Sequence, residues 1–317
     1  MSAAEVAAGQ ADGRDAEAGG RAEVPRRFDE TFLRRLETLR VVTKRATLGQ
    51  LRADRRSRRV GAGIEFADHR DYVAGDDLRI LDWSLYGRME RLLVRLFEED
   101  EDLAIDVLVD TSASMGVGAP PKLDLAAQIG AALAYVGLAN LDRVAETTVG
   151  EALGEGLPPA RGKANILRVL RFLEAVRAAG RTSLAAAARA FLARHQRHRR
   201  GLVVLLSDFY DPAGYREALD LLRFARFEIV TIQISAPEEA RPMLRGEVTV
   251  RDIETGEERD VTISPRDLAA YERRHAALVR GLDGFCRERA IPCFPVTSDE
   301  AFDAVVLRVF RAGGLLR

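Results

Sequence analysis

Cysteine is almost missing from this chain. Of its 317 residues only Cys286 and Cys293 carry thiols. Two thiols build neither a disulfide framework nor a cysteine metal cluster, and they fit a reducing, cytosolic compartment. Lysine is nearly as scarce. Lys44, Lys122 and Lys163 are the only lysines among 48 basic residues. The positive charge is therefore almost all arginine, as expected of an alanine-rich chain from a GC-rich genome. Neither sign of charge dominates: the formal net charge is -1, which gives no global bias toward nucleic acid or acidic substrates. Histidine is limited to His69, His195, His198 and His275. Two of these sit in "RHQRHRR", which reads as a solvated helix end, and zinc there lacks further ligands. Long apolar runs are missing as well. The longest weakly polar stretch, Leu125 to Ala139, is broken by Gln128 and too short to span a membrane; it reads as a buried helix. The first twenty residues have neither a basic start nor an apolar centre, so they are not a signal peptide. The expectation is a cytoplasmic protein with no membrane span and no nucleic-acid partner.

What is present is core-forming material. Hydrophobic residues make up 47% of the chain. Residues 1–25 are small and polar and are expected to be a disordered tail. From Arg26 the pattern turns helical, with Phe28, Phe32, Leu36 and Leu39 on one face. The basic stretch "RADRRSRRV", Arg52 to Val60, has no interleaved aromatics and reads as a solvated face. The block Gly61 to Arg88 has too many glycines and charges for one regular element. Its acidic residues alternate with Arg70, Arg79 and Arg88, which favours an internal ion-pair network over a second ion site. Trp83, the one tryptophan, is expected in the core or as a packing anchor.

"LLVRLFEEDEDLAIDVLVD" then reads as two strands joined by an acidic turn. Beyond it helices and strands alternate, and the strands are continuous apolar runs. That pattern predicts a doubly wound, mostly parallel sheet with helices on both faces. "GEVTVRDIETGEERDVTI", Gly246 to Ile263, alternates polar and apolar residues around "ETGE" and predicts an inserted β-hairpin. The division expected is a tail over 1–25, an N-terminal region over 26–100, and an α/β domain over 101–317.

Two strands end on aspartate: "VLVD" at Asp110 and "VLLSD" at Asp208. Functional groups in open α/β sheets collect at the carboxyl ends of strands. Two carboxylates on one edge repel unless something positive lies between them. Ser112 and Ser114 follow Asp110, and Thr182 opens a helix. The set Asp110, Ser112, Ser114, Thr182 and Asp208 is all hard oxygen, which suits Mg²⁺, Mn²⁺ or Ca²⁺. The plainer alternative is that the hydroxyls cap helices and Asp208 forms a turn. A Mg²⁺-dependent phosphohydrolase using Asp110 as nucleophile is a further alternative, although Ser112 stands where a general acid is wanted. A serine hydrolase is a poor fit, since no G-x-S-x-G surrounds Ser112.

"DTSASMG", with Thr182 and Asp208, resembles the metal-ion-dependent adhesion site of von Willebrand factor A domains. "GIEF", "DHRDY", "GDDLRILDW", "DIETGE" and "LLSDF" resemble the bacterial family known as domain of unknown function 58. The resemblance covers roughly residues 26 to 315. It implies that Asp110, Ser112, Ser114, Thr182 and Asp208 hold a metal, directly or through water, with one position open for a partner's carboxylate. It also implies an adaptor or chaperone role beside a MoxR-type AAA+ ATPase, not an enzyme; the client protein is not implied. One departure stands out. Many A domains follow the threonine with aspartate, whereas this chain has Ser183, which lowers the negative charge near the site.

Overall fold

The computed structural model describes residues 4–6, 27–39, 60–61, 65–98, 104–195 and 201–312. It divides into two compact units, residues 1–43 with 103–314 and residues 44–102 with 315–317. In chain order the elements are β1 (Ala4–Val6), α1 (residues 30–39), β2 (Val60–Gly61), β3 (Glu65–Asp71), α2 (Trp83–Met89), β4 (Leu93–Glu98), β5 (Ala104–Asp110) and α3 (Lys122–Ala139). Next come β6 (Arg143–Val149), β7 (Leu153–Ala160), α4 (Ile166–Ala175), α5 (Leu184–Arg194), β8 (Leu202–Ser207), α6 (Arg216–Phe224), β9 (Glu228–Ser235) and α7 (Pro237–Ala240). The chain closes with β10 (Gly246–Asp252), β11 (Glu258–Ile263), α8 (Pro265–Glu288), β12 (Cys293–Thr297) and α9 (Phe302–Ala312).

The central sheet has the order β12-β9-β8-β5-β6-β7, parallel throughout except for β7. This is the doubly wound arrangement expected. The strand order reverses between β5 and β8, the first and fourth strands of the sheet, and ligand sites form at such a switch point. β5 and β8 are buried almost end to end because helices cover both faces. α3 is apolar nearly all round and lies against β5 and β6. Its glycines allow that approach: a Cβ on Gly137 would stand 2.7 Å from Val144 Cγ2. By length and composition α3 is apolar enough to cross a membrane, but 78% of it is buried inside this fold.

α1 belongs with the sheet unit, although the sequence grouped it with residues 26–100. Phe32, Leu36 and Leu39 are buried, and the Phe32 ring packs 4.6 Å from Phe302. Arg27 fixes the segment by donating to Asp124 at 2.5 Å and to the Leu173 and Val176 carbonyls at 2.8 and 2.7 Å. The apolar stripe read in α1 is thus spent on the helical layer. The expected hairpin forms, with Gly246 opposite Ile263. Ala4–Val6, expected in a disordered tail, pairs antiparallel with β10. That pairing satisfies backbone groups along an otherwise open edge. The basic run Arg52–Arg59 and His198 lie outside the described residues.

In the smaller unit β3 and β2 flank β4. The two strands read on either side of the acidic turn, β4 and β5, therefore sit in different sheets. The block Gly61–Arg88 is more regular than its composition suggested. Part of the expected ion-pair network is present: Arg70 reaches Asp76 at 2.8 Å, and Asp82 is reached by His69 at 3.0 Å and, from outside the block, by Arg95 at 3.3 Å. Asp82 also caps α2 by accepting the Ser84 and Leu85 N–H groups. Trp83 contradicts its expectation. It is 61% exposed and meets the Tyr86 ring edge-on at 6.3 Å. It is the first residue of a short helix, directly after the cap residue Asp82.

Candidate functional site

The carboxyl end of β5 delivers Asp110 into the interior at the switch point. The chain then makes a tight 3-10 turn over Ala113–Gly116. Two backbone bonds hold this loop against the one that carries Thr182: Ala113 N–H to the Gly180 carbonyl and Ala179 N–H to the Thr111 carbonyl, both 2.8 Å. Ser183 N–H to the Gly150 carbonyl, 2.8 Å, ties the same loop to the end of β6. Asp110, Ser112, Ser114, Thr182 and Asp208 are all buried.

Four of the five are joined by hydrogen bonds, as two pairs linked by the Ser112 N–H, which donates to Asp110 Oδ1 at 2.9 Å. Ser112 Oγ and Ser114 Oγ are 3.1 Å apart, and Thr182 Oγ1 donates to Asp110 Oδ2 at 3.4 Å. Neither serine caps the turn or α3 with its side chain. The capping alternative therefore fails for both. The cap of α5 comes from elsewhere: Asp211 Oδ2 accepts the Leu184 N–H at 2.8 Å, and its Oδ1 accepts the Ala213 N–H at 2.8 Å. Asp211→Ala is expected to lower stability by about 1–2 kcal/mol, measured as a shift in urea midpoint.

The donor set fits a hard cation. Among the described residues no three His, Cys, Asp or Glu side chains gather as a ligand group, so an ion here must use the hydroxyls. Adjacent ligands about 2.1 Å from an octahedral ion lie about 3 Å from one another. The serine pair, at 3.1 Å, has that spacing. Asp110 is short of neutralising charge. Burial, and then the neighbouring Asp208, push its carboxyl up to about 6, against the pull of Ser207 and Ser112. Ser207 donates to Asp110 Oδ2 at 2.5 Å and accepts the Phe209 N–H at 2.9 Å.

Asp208 behaves differently. Its Oδ2 accepts from Lys122 Nζ at 2.7 Å and its Oδ1 accepts the Tyr210 N–H at 3.0 Å. Lys122 is wholly buried and also reaches Glu239 Oε1 at 2.5 Å. Its ammonium lies 4.7 Å from the centre of the Tyr210 ring. Burial draws the ammonium's pKa down, but Asp208 and Glu239 more than offset this and hold it above its usual value. Lys122 thus neutralises Asp208 against Glu239 and leaves Asp110 without a cation. Phe209, directly after Asp208, sits at φ 61° with its ring buried. A bulky residue held left-handed costs roughly 1–3 kcal/mol, a strain typical of functional turns.

Lys122, Glu239, Ser207 and Asp211 were missed in the sequence. Only Lys122 gave a signal, as one of three lysines in an arginine-rich chain. Glu254, in the hairpin turn, was also missed. Burial, then Asp208, Asp252 and Asp110, push its carboxyl up to about 7, while Arg181 opposes the rise. Beside the 117–119 loop lies a largely apolar cavity of about 580 Å³, walled by Val117, Met243, Val250, Ile263, Leu268 and Tyr271. Glu239 lines it too, so one carboxylate links Lys122 to this groove. His195 lies at the end of α5, stacks on Phe191 at 4.1 Å and pairs with Asp106 at 3.3 Å.

Comparison with known proteins bears on this arrangement. An uncharacterized protein of Mycobacterium tuberculosis is 30% identical over 258 residues, 78% of this chain and 80% of that protein. An uncharacterized protein of Mycobacterium avium is 26% identical over 119 residues, 38% of this chain and 70% of its own. Among solved structures, BatB from Bacteroides thetaiotaomicron has a TM-score of 0.41 at 13% identity, covering 67% of this chain and 99% of that one. A von Willebrand factor type A protein from Catenulispora acidiphila has a TM-score of 0.36 at 13% identity, covering 69% and 42%. The family model described as "Protein of unknown function DUF58" matches residues 68–278. That match takes in more than half of the chain and all five residues predicted for the site, and the chain belongs to this family.

Proposed function

We propose that this protein is a metal-dependent protein-interaction module, an adaptor or co-chaperone in the cytoplasm, with a MoxR-type AAA+ ATPase as its partner. The observation that carries the metal part is the meeting of one buried carboxylate and three hydroxyls at the switch point, with the serine oxygens 3.1 Å apart. Asp110, Ser112, Ser114 and Thr182 would hold a Mg²⁺ or Mn²⁺ ion. Bound there, the ion supplies a positive centre for a carboxylate from another protein. Charge-assisted contacts of this kind are strong where water is partly excluded. The choice of ATPase partner comes from the family resemblance.

The test is capture of a purified MoxR-type ATPase by the full chain, with and without chelator. Ser112→Ala combined with Ser114→Ala is expected to weaken capture by about tenfold or more, roughly 1.4 kcal/mol. Chelation of the wild type should do the same, and the double variant should then ignore chelator. A variant that still binds, and still loses binding on chelation, places the relevant ion elsewhere. Mg²⁺-dependent phosphoester hydrolysis that disappears in Asp110→Asn would replace this reading with an enzymatic one.

A further inference from the structure

We infer that Lys122 is a positioning residue that holds Asp208 away from the metal cluster, so that ammonium and divalent ion compete for one carboxylate. The inference rests on the metal reading above and adds a determinant of how strongly the site takes an ion.

Both carboxylate oxygens of Asp208 are already engaged. Oδ2 is taken by Lys122 Nζ and Oδ1 by the Tyr210 N–H. Among the described residues no hydrogen bond joins Asp208 to Asp110, Ser112, Ser114 or Thr182. Asp110, by contrast, accepts from Thr182 and Ser207 within the cluster. The two strand-end aspartates therefore have separate employments, although Ser207, the residue just before Asp208, donates to Asp110 Oδ2 at 2.5 Å.

Lysine is needed for this by shape. One tetrahedral ammonium touches Asp208, Glu239 and the Tyr210 ring face from a single buried point. A flat guanidinium fork presents its donors in one plane and needs more room. Lys122 is also the first residue of α3, and its N–H bonds the Val117 carbonyl at 3.0 Å. Its stem is thus fixed to the loop that carries the serines. With Asp208 held off, an ion in the cluster meets one carboxylate and three neutral hydroxyls. It keeps net positive charge and stays attractive to an outside carboxylate. Freed, Asp208 would bind the ion and cancel that charge. The lysine thereby exchanges metal affinity for ligand attraction.

The test is calorimetric titration of Mn²⁺ into the full chain in four forms: wild type, Lys122→Met, Asp208→Asn, and the two substitutions together. Lys122→Met is expected to tighten Mn²⁺ binding by about tenfold, because Asp208 is released. In the Asp208→Asn background the same change should alter affinity by less than about twofold. A simple effect of removing a nearby positive charge would persist in both backgrounds and overturn the inference. So would weaker binding in Lys122→Met. Glu239→Gln keeps the test open where Lys122→Met does not fold. It leaves the ammonium to Asp208 alone, so Mn²⁺ affinity should fall several-fold, and this fall should vanish with Asp208→Asn. A fall that persists in that background overturns the inference as well. Failure of wild type to bind Mn²⁺ at millimolar concentration overturns the metal reading itself, and the inference with it.

Discussion

Glu146→Met is expected to raise the stability of this protein at pH 7 by about 2–4 kcal/mol. Glu146 lies in β6, a central strand, and is wholly buried. Neither side-chain oxygen has a hydrogen-bond partner among the described residues. Gly130 of α3 passes over it so closely that a Cβ there would stand 3.4 Å from Glu146 Oε2, 3.6 Å from Val107 and 3.7 Å from Leu173. Burial, and then the charge of Asp106, hold its pKa well above the usual carboxylate value.

The sign of the pH dependence follows. Below about pH 4 the carboxyl is protonated in both folded and unfolded chains and contributes no difference. As pH rises through the ordinary carboxylate range, only the unfolded chain gains by ionising. Stability is then lost at up to about 1.4 kcal/mol per pH unit until the folded group also ionises. Methionine has nearly the same length and removes both the titration and the unpaired oxygens. Glu146→Gln removes the titration alone. Urea unfolding at pH 4 and pH 7 separates the two terms: Glu146→Gln should abolish the pH-dependent loss, and Glu146→Met should add stability at both pH values. A wild type equally stable at pH 4 and 7, once other carboxylates are allowed for, would mean that Glu146 is solvated.

The sheet was readable because its buried strands are written in runs such as "VLLS", which have few other uses. β7 was not readable. "LGEGLPPA" carries two glycines and two prolines, and it forms a strand because it is an antiparallel edge, where a missing N–H is tolerated. The five oxygen-bearing residues could be named because each stands beside a clear element boundary. That four of them cluster and the fifth turns to a lysine could not. That outcome depends on tertiary distances: the start of α3 brings Lys122 86 positions along the chain to Asp208, and α7 brings Glu239 from a further 31 positions on. Trp83 was misread from its residue type. Type predicted burial, but this residue opens a short helix directly after the cap residue Asp82 and is exposed.

Lys122→Ala is expected to be the most damaging single change at the site, lowering stability by about 3–5 kcal/mol in chelator. The loss comes less from the missing attraction than from what remains. Asp208 and Glu239 would both be buried with no cation between them. Burial already raises the Glu239 pKa even with Lys122 present. Without the ammonium, each carboxylate must take up a proton or admit water, and both weaken the fold. Two controls follow from this account. Lys122→Met combined with Asp208→Asn and Glu239→Gln leaves no buried charge in the group and should recover most of the loss, because a buried ion cluster exchanged whole for neutral groups costs little. Millimolar Mg²⁺ should stabilise Lys122→Ala more than it stabilises the wild type, since the ion then has two carboxylates to satisfy. Thermal unfolding of the three proteins with chelator and with Mg²⁺ measures all of these differences. If the triple variant were as unstable as Lys122→Ala, the packing of the lysine stem would be the main contribution of this residue, and charge pairing a secondary one.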